Sequence, residues 1–589
     1  MDELDQLDQL DQLEEPKPSP PQASGAPAEA PAPRPPRAPR APRPKGHRTL
    51  LTVVAVLVVV GAMIGVYIYV VGLPQPAKST PPPPIPSVCL GDTSGDWPTY
   101  LGEISRNGQN CGEKQLNSDN AAQLTQLWAF NTSEKDPGYL DAEPIVVDNT
   151  VYVGAGNGIF YAINATTGKE VWQSINLGND TQCYYPDGIT SSATVTGGEV
   201  YVGGGDGTFY VLNQSTGHVD WSYFVGNVTQ GYYIWASPLV LTNLGYVYFG
   251  VASNSCDTPL VNGGLLQVSL STHQKVNFFS DLSPAQQSAC NPALPHSNSS
   301  NSPGCGGSIW SSPSYNATTN TIWATTGNGY GLSVPEYGDS LMEWNATTLA
   351  LISHWTVPNA DQIYDGDFGS TPTLVDPVGG PPMVFVTNKN GWSYAFDRSN
   401  IAAGPVWQYL ISQFPSVAPD AYGGGYVYVA GHGTVIGGTH YSGAIRAFNP
   451  EVNQTVWAVG MPDEVTGAPI YANGLVVVAS STVPPTRGGL LDVLNSTTGK
   501  VLFSYTGTGQ YGFEAAASIA NGVIYIGNTN GLLLAFGLPA GAGGAVEPAT
   551  SSGPAGHSAS PNVPVSLPIW GGVVGLLGAY PVIQAVPRE

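Results

Sequence analysis

A repeated segment is the feature that most constrains the fold of this chain. Residues 150–172 and 199–221 share Tyr, Gly, Tyr, Thr-Gly and Trp at a constant offset of 49 residues. Each copy contains two alternating apolar strands joined by a Gly-rich turn, then an Asn-x-[Ser/Thr]-Thr-Gly turn and an outer strand that begins near Trp. Six further copies are centred on Val247–Val276, Ile322–Trp355, Val384–Trp407, Val427–Trp457, Leu475–Phe503 and Val523–Phe536. Eight such copies, each completed by a preceding inner strand, predict an all-β, eight-bladed β-propeller.

The two ends of the repeat region complement each other. The last copy stops at Leu534–Phe536 without an outer strand, whereas Leu127–Phe130 stands alone before the first copy. Only seven outer strands follow their own copies, near Trp172, Trp221, Phe278, Trp355, Trp407, Trp457 and Phe503. We therefore predict that the N-terminal strand completes the last blade and leaves no long unpaired sheet edge. The repeated Trp and Thr-Gly residues are predicted to be structural.

The charge pattern excludes one class of function. Charged residues make up 10% of the chain, and seven of the 19 Lys and Arg residues precede position 49. A body so poor in cations does not neutralise phosphates, so nucleic-acid binding is excluded. Protonation of carboxylates in strong acid would leave few repelling charges, so the pattern suits an acidic exterior; it suits a low-charge secreted protein in neutral medium equally well.

Apolar and low-complexity segments indicate where the protein resides. Residues 1–48 predict a disordered cytoplasmic tail, and residues 49–72 are 24 uncharged residues, long enough for a transmembrane helix. Six Lys and Arg residues between Arg34 and Arg48 place the N-terminus in the cytoplasm. Residues 73–95 are then a linker, 96–538 an extracytoplasmic propeller at the cell membrane, and 539–565 a flexible linker. Residues 566–586 carry no charge and favour a second transmembrane helix, although Pro581 and four glycines weaken that prediction.

Cysteines and glycosylation sequons support an extracytoplasmic location. All six cysteines lie after the apolar segment, and their even number predicts disulfides, with Cys89 paired to Cys111 and Cys256 to either Cys290 or Cys305. Candidate N-glycosylation sites are Asn131, Asn164, Asn179, Asn213, Asn227, Asn298, Asn316, Asn345, Asn453 and Asn495.

Several motifs allow a family to be named. Residues 96–100 (DWPTY), followed by the repeats ending in TGKxxW, resemble the quinoprotein alcohol dehydrogenases, whose repeats are of the pyrroloquinoline-quinone (PQQ) type. The more specific stretches are residues 306–313, 325–329 with 338–340, and 365–375 leading into 388–398. The resemblance covers about residues 96–538.

The resemblance implies a site that binds PQQ and Ca²⁺. Trp310 would stack under the cofactor, Lys389 would bond a quinone oxygen, and Glu143 would contact the cofactor from the first blade. Asn328 would ligate calcium, Asp339 would be the catalytic base, and Asp257 would replace the acidic calcium ligand that the family carries in the third blade. No CxxCH haem motif occurs, so an enzyme of this kind would need a separate electron acceptor.

Two functions remain open on the sequence alone. One is the oxidation of an extracellular alcohol or sugar by a membrane-anchored quinoprotein. The alternative is a non-catalytic cell-surface propeller that binds protein or envelope partners, because similar blades occur in both kinds of protein. Geometry discriminates between them: Trp310, Asn328, Asp339 and Lys389 converge on one end of the channel only if the site exists.

Overall fold

The computed structural model describes most of the repeat region. The described residues are 94–132, 138–181, 188–255, 261–289, 306–328, 335–358, 365–377, 379–481, 488–507 and 512–539. The chain divides into two compact units, residues 1–80 and 81–589, and all described residues belong to the second.

Eight sheets, each with four antiparallel strands, form the blades, which confirms the predicted eight-bladed β-propeller. Two sheets have a fifth strand: Tyr232–Tyr233 in blade 3 and, paired in parallel, Gln109–Asn110 in blade 7. Two strands, β1 (Gln109–Asn110) and β2 (Thr125–Asn131), precede the first blade. The strands of blades 1 and 2 are β3 (Ile145–Val147), β4 (Thr150–Gly154), β5 (Ile159–Asn164), β6 (Ile175–Asn176), β7 (Thr194–Thr196), β8 (Glu199–Gly203), β9 (Thr208–Asn213) and β10 (Val219–Phe224). Those of blades 3 and 4 are β11 (Tyr232–Tyr233), β12 (Leu239–Leu241), β13 (Tyr246–Ser253), β14 (Gly264–Ser269), β15 (Lys275–Ser280), β16 (Ser314–Asn316), β17 (Thr321–Thr325), β18 (Ser340–Asn345) and β19 (Leu351–Thr356). The short strand β11 pairs with the end of β13.

The remaining blades follow the same plan. The strands of blades 5 and 6 are β20 (Thr373–Val375), β21 (Met383–Thr387), β22 (Trp392–Asp397), β23 (Trp407–Leu410), β24 (Ala421–Gly423), β25 (Tyr426–Ile436), β26 (Thr439–Asn449) and β27 (Gln454–Met461). Those of blades 7 and 8 are β28 (Ile470–Ala472), β29 (Leu475–Ala479), β30 (Leu490–Asn495), β31 (Val501–Thr506), β32 (Ser518–Ala520), β33 (Val523–Gly527) and β34 (Leu532–Gly537). One short helix, α1 (Pro284–Ala289), and three single 3₁₀ turns (Ala121–Gln123, Val228–Gln230 and Ile401–Ala403) complete the described elements.

Strand exchange closes the ring as predicted. The last sheet has the order β2-β34-β33-β32, so the N-terminal strand β2 is the outer strand of blade 8. Trp128 lies opposite Ala535 in this antiparallel pairing. Closure leaves the inner strands of blade 8 paired on both sides, which removes an exposed edge.

Tryptophans and turn glycines join neighbouring blades. The indole N–H of Trp128, Trp172, Trp407 and Trp457 donates to a carbonyl of the next blade, at 2.8–3.2 Å. The turn glycine packs against the same ring: a Cβ at Gly217, whose φ is +72°, would lie 2.6 Å from the Trp172 ring. The Asn of each Asn-x-[Ser/Thr]-Thr-Gly turn accepts backbone N–H groups, as Asn164 does from Thr166 and Thr167. The structural assignment of these residues is therefore confirmed.

The two ends of the blades are distinct. We call the end at which the innermost strands begin the upper end; the loops between the second and third strands lie there too. The opposite, lower end carries the tight turns between the first and second strands. Gly95, whose carbonyl accepts the N–H of Asn521, and Gly537, paired with Val523, both lie at the lower end. Both described ends of the chain therefore leave the propeller at the lower end.

An N-terminal segment fills the centre of the ring. Residues 95–110, here called the plug, contact the innermost strand of every blade. Their carbonyls accept N–H groups at the middle of β3, β7, β16, β20, β24 and β28, with N···O distances of 2.7–3.2 Å. In blade 3 the acceptor is the Pro238 carbonyl, bound by Arg106, and in blade 8 it is the Ile519 carbonyl, bound by Asn110. The sequence did not predict this element.

The predicted membrane segments cannot be compared with the fold. No helix among the described residues is long and apolar enough to cross a membrane. Residues 49–72 and 566–586, like the tail and the linkers before residue 94 and after residue 539, lie outside the described part of the chain.

Candidate functional site

A charged cluster lies at the upper end between blades 4 and 5. We call Trp310, Asp365, Asp367 and Lys389 the upper-end cluster. The Lys389 ammonium is 2.7 Å from Oδ1 of Asp367 and 3.1 Å from Oδ1 of Asp365. The indole N–H of Trp310 donates to Oδ2 of Asp367 at 2.8 Å. Lys389 Nζ also lies 5.1 Å from the centroid of the Trp310 ring, close enough for a cation–π contact. Asp367 thus contacts the Lys389 ammonium through Oδ1 and the Trp310 indole through Oδ2.

Backbone contacts fix the position of Lys389. The residue follows β21 in a tight turn, in which the N–H of Gly391, at φ +87°, donates to the carbonyl of Asn388. Lys389 itself donates its N–H to the carbonyl of Asp367 at 3.1 Å. Only 8% of Lys389 and 3% of Asp367 is exposed, so their ion pair is largely shielded from solvent. Electrostatic interactions are stronger in such surroundings than at an open surface.

Asp339 lies close to this cluster. Its N–H donates to the carbonyl of Gly327, and a Cβ at Gly327 would lie 3.2 Å from Oδ2 of Asp367. The pKa of Asp339 is raised to about 6, first by burial and then by the negative charge of Asp367, while Lys389 opposes the shift. Oδ1 of Asp339 is buried and makes no hydrogen bond. Its φ of +50° is a strained conformation for a residue other than glycine, as is often found at functional sites.

Three of the predicted site residues lie near one another, and the backbone of a fourth lies beside them. Asn328 follows Gly327 directly, and its backbone carbonyl accepts the N–H of Gly307. Trp310 and Lys389 contact each other and Asp367, and Asp339 lies near enough for the charges of Asp367 and Lys389 to shift its pKa. The roles predicted for these residues stay predictions.

Glu143 lies apart from these residues. Its Oε2 accepts the N–H of Leu101 in the plug at 2.7 Å, and only 1% of the residue is exposed. Burial raises its pKa to about 8, and the Leu101 N–H and the Arg106 charge oppose the shift. Arg106 is itself fully buried and donates to the carbonyls of Tyr100, Pro238 and Pro313. The contacts of Glu143 thus hold the plug, and its role as a cofactor contact stays a prediction.

Other predicted residues fall partly outside the described chain. Asp257 lies there, as do all cysteines except Cys111, which forms a disulfide. The Cys89–Cys111 pairing stays a prediction. Among the sequons, Asn131, Asn179, Asn227 and Asn453 are exposed, whereas Asn316 is buried. No group of three or more His, Cys, Asp or Glu residues that could hold a metal ion occurs within the described ranges.

Asp367 is the site residue that sequence reasoning missed. It lies within residues 365–375, one of the stretches that carried the resemblance, but no role was assigned to it. An available signal was its spacing from Asp365, which places two carboxylates just before an innermost strand. Its contacts with both Trp310 and Lys389 make it the centre of the upper-end cluster.

The closed eight-bladed ring, its repeats and this cluster define a PQQ-repeat β-propeller. A family model described as outer membrane protein assembly factor BamB matches residues 115–274 and 403–552, just over half of the chain. The chain belongs to the PQQ-repeat β-propeller family and resembles the quinoprotein alcohol dehydrogenases.

Two curated relatives are quinoprotein dehydrogenases. Quinoprotein glucose dehydrogenase of Escherichia coli K12 is 25% identical over 347 residues, which cover 52% of this chain and 42% of that protein. Quinoprotein alcohol dehydrogenase PedH of Pseudomonas putida is 27% identical over 139 residues, 23% of each chain. The chain therefore aligns with less than half the length of these relatives.

Solved structures share the fold. Quinohemoprotein alcohol dehydrogenase from Comamonas testosteroni matches with a TM-score of 0.60 and 18% identity, covering 78% of this chain and 83% of that one. A europium-containing methanol dehydrogenase matches with a TM-score of 0.59 and 16% identity, covering 75% of this chain and 98% of the other.

Proposed function

We propose that this protein is a membrane-anchored quinoprotein that oxidises an extracellular alcohol or sugar at the upper end of its propeller. The observation that carries the proposal is the contact of Asp367 with both Trp310 and Lys389, beside Asp339 and Asn328. A non-catalytic binding protein has no need of a buried lysine shared between two carboxylates beneath an aromatic ring. The quinoprotein dehydrogenases among its relatives support the same reading.

The residues present suit PQQ and a hard cation. The half-buried Trp310 ring offers a flat surface for a planar quinone, and Lys389 offers a donor to its oxygens. Three carboxylates, Asp339, Asp365 and Asp367, face the single cation Lys389, and the buried Oδ1 of Asp339 has no partner. A divalent cation held by Asp339 and the Asn328 amide would balance this negative charge. PQQ held by these residues would supply the acceptor for the hydride of the alcohol carbon.

We propose Asp367, rather than Asp339, as the group that accepts the alcohol proton. Lys389 and the Trp310 indole hold the Asp367 carboxylate in place beside the aromatic face. The buried Oδ1 of Asp339 makes no hydrogen bond, and we assign Asp339 to hold the cation. Lys389 then serves both to orient Asp367 and to neutralise charge that develops near the quinone.

The remaining parts of the proposal concern location and acceptor. Both described chain ends lie at the lower end of the propeller, opposite the upper-end cluster at which we propose that the substrate and a separate electron acceptor bind. Within the described ranges, the acidic side chains of the upper-end loops, among them Asp206, Glu336, Asp365, Glu464 and Glu514, greatly outnumber the one lysine there, Lys389. An acceptor that carries positive charge is favoured by this surface.

The test uses the full-length protein in detergent, reconstituted with PQQ and Ca²⁺. We expect a bound-quinone absorbance spectrum and alcohol-dependent reduction of a dye. Asp367→Asn should keep the spectrum but lower kcat about 10²- to 10⁴-fold, because it removes the general base. Asp397→Asn, a change in the same blade at the lower end, is the matched control. Absence of quinone binding by the wild-type protein would refute the proposal and favour the non-catalytic alternative.

A further inference from the structure

One buried carboxyl interrupts the repeat beside the proposed site. The residue that immediately precedes each innermost strand is Pro or Ala in seven blades: Pro144, Ala193, Pro238, Pro313, Pro372, Pro469 and Ala517. Blade 6 carries Asp420 at this position, and Asp420 is completely buried. A buried acid has a desolvation cost that Pro and Ala do not have. A residue that breaks a local rule obeyed by every sister repeat points to a functional role.

Asp420 is poorly satisfied as a structural residue. Its carbonyl accepts the hydroxyl of Thr373 at 2.8 Å, but its side chain has one long bond, from the Thr387 hydroxyl to Oδ1 at 3.4 Å. Oδ2 makes no hydrogen bond, and neither does the fully buried amide nitrogen of Asn388, the residue after Thr387. Burial accordingly raises the pKa of Asp420 to about 8.

A hydroxyl network connects Asp420 to the upper-end cluster. The Ser370 hydroxyl bonds both the N–H and the carbonyl of Thr387, at 2.8 and 2.7 Å. Ser370 lies three residues after Asp367, and Thr387 lies two residues before Lys389. In blade 4 the corresponding Thr325 hydroxyl donates to a backbone carbonyl, that of Ser370. The Thr387 hydroxyl of blade 5 donates instead to a side chain, that of Asp420 in blade 6. The hydrogen bond that joins these two blades beneath Lys389 therefore depends on the residue at position 420.

We infer that Asp420 is a positioning residue of the upper-end cluster, which holds the Thr387–Lys389 turn and thereby sets the Lys389 ammonium against Asp367. The effect of Asp420 on catalysis rests on the proposed function, whereas its effect on the position of Lys389 does not. Asp420 touches no reacting atom; it acts through Thr387. Asp420, in place of Pro or Ala, lowers the stability of the fold but maintains the geometry of the site.

Two variants test the inference. Asp420→Ala installs the residue found in two other blades and removes the long bond, whereas Asp420→Asn keeps an acceptor of the same shape. Asp492→Asn, which alters another buried carboxyl in blade 7, is the matched control. The first measurement is acylation of Lys389 by an amine-reactive reagent, followed by peptide mass spectrometry, with Lys169 as internal reference. It reports the position of Lys389 whether or not the protein binds a quinone.

We expect Asp420→Ala to raise the relative acylation rate of Lys389 about threefold or more, and Asp420→Asn and Asp492→Asn to leave it unchanged. The melting temperature of Asp420→Ala at pH 8 should rise by about 2 °C, because the buried acid is gone. In the PQQ-loaded protein Asp420→Ala should lower kcat about tenfold with little change in KM, and Asp420→Asn should restore it.

Unchanged Lys389 acylation in Asp420→Ala would overturn the inference, and so would a rise of the same size in Asp492→Asn. Failure of the proposed function gives a different result: increased Lys389 acylation in Asp420→Ala without any quinone-dependent activity in the wild-type protein. If Asp420→Ala does not fold, Asp420→Ser removes the second carboxyl oxygen with a smaller change of volume, and the same acylation criterion applies.

Discussion

Replacing Glu143 by Gln should stabilise the protein at neutral pH and not in acid. Glu143 is buried under the plug, and its folded-state pKa of about 8 lies above its ordinary value of 4.5. The folded protein therefore binds this proton more tightly than the unfolded chain does. The resulting stability is fully present below pH 4.5 and is lost as the pH rises from 4.5 towards 8.

The magnitude follows from the size of the pKa shift. One pKa unit corresponds to about 1.4 kcal/mol, so between pH 4.5 and pH 7 the carboxyl of Glu143 lowers the free energy of unfolding by about 3 kcal/mol. Gln keeps an oxygen that accepts the Leu101 N–H and does not titrate. Glu143→Gln should thus exceed the wild-type protein by about 3 kcal/mol at pH 7, or a melting temperature higher by about 4 °C, and should match it at pH 4.

Thermal melts followed by near-ultraviolet circular dichroism at pH 4 and pH 7 provide the measurement. Glu170→Gln, an exposed change in the same blade, is the control and should show no difference at either pH. A Glu143→Gln variant that is less stable than the wild type at pH 7, or that differs by the same amount at both pH values, would refute the reasoning. The first result would mean that an ionised Glu143 stabilises the plug through Arg106.

Further predictions concern the blades and the site. The buried carboxyl of Asp420 and the half-buried carboxyl of Glu343, with pKa values raised to about 8 and about 7, should add to the effect of Glu143, so wild-type stability should increase from pH 7 to pH 4.5; a maximum at pH 7 in denaturant titrations would contradict this. Trp128→Ala should lower stability by about 3–5 kcal/mol, because it removes the ring that docks on Gly168 and the bond to Ala165, whereas an equal melting temperature would contradict ring closure. Gly217→Ala should cost about 2 kcal/mol or more in the same melts, because its positive φ and the Trp172 ring both oppose a Cβ. With the PQQ-loaded protein, cationic phenazine dyes should be reduced faster than ferricyanide, and the difference should shrink at high salt; a preference for ferricyanide would contradict the charge argument.

The sequence predicted the blades because their information is local. Alternating apolar residues and Asx turns such as that at Asn164 act within one repeat, and closure by Trp128 follows from counting repeats. Residues 95–110 carry no such alternation, because the plug pairs with eight separate strands; Asp96, for example, bonds Asn521, 425 residues away. The sequence of the plug therefore shows no periodic pattern from which this element could be predicted.

The candidate site was predictable in part for the same reason. Trp310 precedes the innermost strand of blade 4, and Asn328 and Asp339 lie in the loop between the second and third strands of that blade. Lys389 lies in the corresponding loop of blade 5, so the propeller topology places all four residues at one end. Asp365 and Asp367 both contact Lys389, and Asp367 is central because it also accepts the Trp310 N–H. The spacing of the two residues in the sequence does not predict which side chain reaches the indole. Asp420 could have been found by aligning the eight residues that precede the innermost strands, since it alone departs from Pro and Ala there.

The plug has a consequence for folding cooperativity. In an open array of repeats each unit contacts only its neighbours, so local segments can unfold one after another. Here the plug accepts hydrogen bonds through its carbonyls from the innermost strands of six blades, and it bonds the remaining two blades through Arg106 and Asn110. In addition, β2 joins the last blade to the first. Opening any single blade breaks its bond to a segment that the other seven blades also hold. The propeller should consequently unfold in one transition, and because its plug and closing strand are made first but find their last partners only when blade 8 is complete, it should fold slowly.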